Sequence, residues 1–73
     1  MKIEQSNNSI DRQREFIKME LDFIESRQKR LMRELSEENI NMDMVERQKK
    51  EIATAVLEIK RYADKIENMI NQL

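Results

Sequence analysis

The sequence contains no cysteine, histidine, glycine, proline or tryptophan, and only two phenylalanines and one tyrosine among its 73 residues. Without cysteine there is no disulfide framework and no thiol chemistry. Without histidine as well, the usual nucleophile–base pairs and zinc-type sites lose their ligands. Without glycine there is no loop that could cradle a phosphate, and the acidic residues Glu37, Glu38 and Asp43 lack the spacing and glycine of a calcium loop. The expectation is therefore a protein that is not an enzyme and holds no cofactor or metal. No apolar run approaches the length of a membrane span, and the polar stretch over residues 1–9 does not read as a signal peptide, so a cytoplasmic location is expected. Charge of one sign is also missing. The formal net charge of -1, from 14 basic and 15 acidic residues, argues against a nucleic-acid or anionic-membrane binder.

What remains is a helical composition. Charged residues make up 40% of the chain, and glutamate, lysine, arginine, glutamine, leucine and methionine are good helix formers. Counting in sevens from Ile10 gives Ile17, Ile24, Leu31, Glu38, Val45, Ile52, Ile59, Ile66 and Leu73, apolar at every step except Glu38. Seven residues are close to two helical turns, so these side chains form one line that needs a second helix to cover it. If this line is called d, the accompanying a positions are Arg14, Leu21, Gln28 and Leu35, then Lys49, Val56, Ala63 and Ile70. The expected seam is d with a.

The segment 36–43 gathers Ser36, Asn39, Asn41 and Asp43 around the interrupting Glu38 and is the candidate turn. The expected organisation is a flexible tail over residues 1–9, capped helix entry at Asn8 or Ser9, a first helix over about 10–36, a turn over about 37–43 and a second helix over about 44–72. Asp43 and Glu46 have capping-box spacing at the second entry. Two architectures satisfy the pattern: an all-α, two-helix antiparallel coiled-coil hairpin, or a single long helix in a parallel coiled-coil dimer. The unbroken heptad phase supports the rod. The weak helix formers around Glu38 support the hairpin. A hairpin of this size shares only one seam, so a partner, or self-association into a homo-oligomer when the partner is absent, is expected to supply stability.

A second apolar stripe favours the hairpin. Phe16 and Phe23 occupy c positions, Met19 lies further round the same flank, and Ala55, Tyr62 and Met69 occupy g positions of the second helix. In an antiparallel pair the g edges lie on one side, which places Phe16 and Phe23 beside Tyr62 and Met69. In a parallel rod the phenylalanines would be stranded. Phe16, Met19, Phe23, Ala55, Tyr62 and Met69 are therefore the expected partner-binding residues, because grouped aromatic and methionine side chains anchor helical interfaces.

The length, the two amphipathic helices and the stretch from Met44 to Ala63, with small and branched residues leading to Tyr62, resemble the small needle-protein co-chaperones of bacterial type III secretion systems (the YscE, PscE and EscE type). The resemblance covers roughly residues 10–70 in length and pattern. It implies a bacterial cytoplasmic hairpin that binds a larger tetratricopeptide-like chaperone and helps keep the needle subunit soluble and unpolymerised before export. Some relatives carry glycine in the turn, whereas this chain has none. Two other classes fit the residues: a homodimeric structural coiled coil, and a small regulatory hairpin that docks on a signalling protein.

Overall fold

The computed structural model describes the backbone of residues 2–73 and the side chains of residues 10–73. Two helices make up the fold, α1 over Lys2–Leu35 and α2 over Met42–Asn71, packed against each other as a hairpin. Helix α1 begins at Lys2, so it runs through the segment expected as a tail and past the expected caps at Asn8 and Ser9. No proline or glycine stands there to stop it.

The turn is tighter and earlier than expected. The Ser36 backbone N–H donates to the Met32 carbonyl at 3.2 Å and its hydroxyl donates to the same oxygen at 2.9 Å, closing the last turn of α1. Asn41, not Asp43, caps α2. Its backbone is extended (φ -85, ψ 100) and its side-chain Oδ1 accepts from the Met44 N–H at 3.2 Å. The Asn41 N–H donates to Glu34 Oε1 at 2.9 Å, which ties the cap back to α1. Asp43 keeps a favourable place in the first turn, near the positive end of the helix dipole. Among the described residues none has a positive φ, so the turn needs no glycine.

The chain direction reverses cleanly. Phe16 lies against Tyr62 and Arg27 against Glu51, so residues whose numbers sum to about 78 face each other. All the d residues from Ile10 to Ile66 outside the turn are buried or half-buried, as expected for the seam. The second row of the seam is different. Gln13, Glu20, Arg27 and Glu34 on α1, with Gln48, Ala55, Tyr62 and Met69 on α2, are the g positions, and all are buried or half-buried. The a positions are exposed throughout, including Leu21 (53%), Leu35 (45%), Val56 (52%) and Ile70 (55%). The expected d-with-a seam is thus corrected to d-with-g, a rotation of each helix by roughly 50° about its axis.

Cross-helix chemistry accounts for that rotation. Arg27 Nε reaches Glu51 Oε2 at 2.9 Å, an ion pair whose angle departs from an aligned hydrogen bond. Within α1, one turn apart, the Arg27 guanidinium also covers the Phe23 ring at 4.6 Å from its centroid, which steadies the arm that reaches Glu51. Ala55, 3% exposed, lets the helices approach closely. Of the four-residue pairs readable along α1, Glu25 with Lys29 forms at 3.5 Å. The other pairs made within a helix use three-residue spacing: Arg14 with Asp11, Lys49 with Glu46 and Arg61 with Glu58. These exposed pairs each contribute less than about 1 kcal/mol.

Candidate docking surface

The hairpin has two flanks beside its seam. In an antiparallel pair the two c rows share one flank and the two a rows share the other. The c flank carries the aromatic residues. Phe16 is 36% exposed and its ring sits 5.3 Å from that of Tyr62 at a 40° tilt, an arrangement that stabilises a pair by about 0.5–1.5 kcal/mol. Phe23 is half-buried beneath Arg27, and Met19, at 63% exposure, stands outermost on this side.

Of the six residues expected to bind a partner, the structure brings Phe16 and Tyr62 into direct contact and leaves Phe16 and Met19 open to solvent. Ala55 is buried in the seam and serves it by being small. Tyr62 and Met69 are half-buried members of the same g row. A shallow groove of about 500 Å³ continues the flank toward the turn, lined by Phe23, Arg47, Lys50, Glu51, Ala55 and Glu58 among others. Its floor is apolar and its rim carries both charges. The groove rim of Arg47, Lys50, Glu51 and Glu58 was not among the expected partner-binding residues, because charged side chains on α2 add nothing to an apolar periodicity.

Tyr62 reports on this flank. Its phenol is held above its ordinary value of 10.0, first by desolvation and then by the nearby carboxylates of Glu58 and Glu20. The unfolded chain ionises at the ordinary value while the folded chain resists. The stability linked to Tyr62 is therefore complete below about pH 10 and is lost as pH rises through the higher folded value. Titration of the single tyrosine by phenolate absorbance should give a midpoint above that of the unfolded chain, and Glu58→Gln should bring it down. An unshifted midpoint in the folded protein would place the ring in solvent.

Among the described residues, no helix is long and apolar enough to cross a membrane, and no group of three acidic side chains converges to hold a metal ion. Compared with protein-family models, curated proteins and solved structures, the chain matches none.

Proposed function

We propose that this protein is a binding module: a small helical co-chaperone that docks through its Phe16 flank on a larger, tetratricopeptide-like chaperone and helps keep a secretion needle subunit soluble before export. The partner class comes from the resemblance of the Met44 to Ala63 stretch. The observation that supports docking is the pairing of exposed Phe16 and Met19 with a shallow apolar groove on the same side of a rigid helical scaffold. A partner helix laid along this flank would cover Phe16 and Met19 and fill the groove beside Phe23, in the manner of helix-in-groove recognition. Binding only the folded hairpin, the partner would stabilise it by mass action, and the hairpin would stabilise the partner in return.

The experiment is coexpression with the tetratricopeptide chaperone and needle subunit of the host's own secretion system, followed by titration calorimetry. A stoichiometric complex is expected. Phe16→Ala combined with Phe23→Ala should weaken it at least about tenfold while the hairpin stays helical, since the Phe16–Tyr62 stack and the Arg27–Phe23 contact are each a modest part of its stability and the Arg27–Glu51 pair remains. No complex with these partners, or a complex indifferent to both substitutions, would refute the reading.

A further inference from the structure

The a flank is the unexplained part of the surface. Each d row has two neighbours. On one side lies the g row, polar on α1, which the hairpin uses; on the other lies the a row with Leu21, Leu35, Val56, Ala63 and Ile70, which it leaves exposed. Both helices thus carry apolar residues on the side of the d row that the two-helix seam does not use, the pattern of helices that pack in a bundle. The seam itself is thin: among the described residues, Val45 and Ala55 are the buried apolar side chains, and Ile17, Ile24, Leu31, Ile52, Ile59 and Ile66 stay half-buried.

We infer that two copies of this hairpin pack their Leu21–Leu35–Val56–Ile70 faces together to form a four-helix bundle. The spacing of that face is self-complementary. Leu21 and Val56 sit at nearly the same level across the hairpin, since their numbers sum to 77. Leu35 lies 14 residues from Leu21 toward the turn and Ile70 lies 14 residues from Val56 toward the open end, each about 21 Å from the central layer. A two-fold axis through that layer brings all three apolar layers of one copy onto apolar layers of the other, the condition for a closed symmetric interface. The half-buried d residues, Ile17, Ile24, Ile52 and Ile59 among them, then become the bundle core. Arg14, Gln28 and Lys49 occupy the a row between these layers, where their stems pack along the interface while the charged heads of Arg14 and Lys49 reach solvent. This face is opposite the Phe16 flank, so a dimer leaves that flank open.

Sedimentation equilibrium at about 100 µM chain should give twice the mass of 8.9 kDa. Leu21→Glu with Val56→Glu should return the chain to the monomer mass with its helicity retained, while Phe16→Ala with Phe23→Ala should leave the dimer intact. A monomeric wild type overturns the inference, as does a glutamate variant that stays dimeric or a dimer lost only with the phenylalanines. Should the glutamate variant lose its helicity, Leu21→Ala with Val56→Ala decides. At least about a tenfold rise in the dissociation constant supports the face, and an unchanged constant overturns it. Because the Phe16 flank is assayed separately, failure here leaves the proposed docking function standing.

Discussion

Ala55→Leu should lower the stability of the hairpin by about 1–3 kcal/mol, among the larger losses a single conservative substitution could produce here. Ala55 is 3% exposed and lies in the g row of α2, opposite the Phe23 and Ile24 level of α1. A small residue at that point sets how closely the helices approach. Three added carbons do not fit between the closely approaching helices, so the helices must separate or the leucine must turn out of its favoured rotamer into the shallow groove beside Phe23. Separation also weakens the contacts on either side, the 2.9 Å Arg27–Glu51 pair and the 5.3 Å Phe16–Tyr62 stack. With Val45 and Ala55 the buried apolar residues of the described chain, little else compensates. Ala53 is exposed on the far side of the same helix and supplies the control. Ala53→Leu should be nearly neutral, since leucine is almost as good a helix former as alanine. Thermal unfolding by circular dichroism measures both, and an Ala55→Leu variant that melts no lower than Ala53→Leu would remove Ala55 from the seam.

The d line was legible because it repeats every seven residues and needs no knowledge of the partner helix. So was the meeting of Phe16 with Tyr62, which follows from antiparallel edges alone. The second row of the seam was not. Counted helix by helix, the a row with Leu21, Leu35, Val56 and Ile70 is more apolar than a g row containing Gln13, Glu20, Arg27 and Glu34. The structure reverses that order through pairings that tie α1 to α2 and to its cap: Arg27 meets Glu51, and Glu34 accepts from the Asn41 N–H. Those pairings depend on the length of the turn, which sets the register. The turn depends on Asn41 capping one residue before α2 rather than one residue inside it. Helix propensity at the other end was underread for a related reason. Polar residues over 2–9 lack periodicity, but lack of periodicity does not break a helix that contains no proline or glycine. For the candidate site, the aromatic flank could be read from spacing, whereas the burial of Ala55 could not, since its small size marks it equally for a seam or a surface.

Gln48→Leu should stabilise the protein by about 1–2 kcal/mol, the opposite sign from a typical substitution in a packed seam. Gln48 is 1% exposed, and its side-chain oxygen has no hydrogen-bond partner; Gln13, 6% exposed, is in the same condition on α1. A buried amide oxygen without a donor costs roughly 1–3 kcal/mol of desolvation, and leucine has similar bulk without that cost. Gln48→Ala separates this explanation from simple tolerance at the site, since it also removes the unpaired oxygen but leaves a void, and it should melt below Gln48→Leu. Should Gln48→Leu lower the melting temperature instead, the amide must be satisfied, for instance by an ordered water, and the polar layer is then a source of stability. With the expected sign, the retained glutamines need another reason, and geometry supplies one. Polar residues within a seam can specify how helices align at some expense of stability. Here they lie on the row that distinguishes the d-with-g packing from the more apolar d-with-a packing. A chain with a fully apolar g row would bury more within the single hairpin and depend less on whatever covers Leu21, Leu35, Val56 and Ile70. On that outcome the unpaired glutamine oxygens keep the isolated hairpin less stable than an apolar g row would, and the proposed dimer through Leu21, Leu35, Val56 and Ile70 is what offsets them.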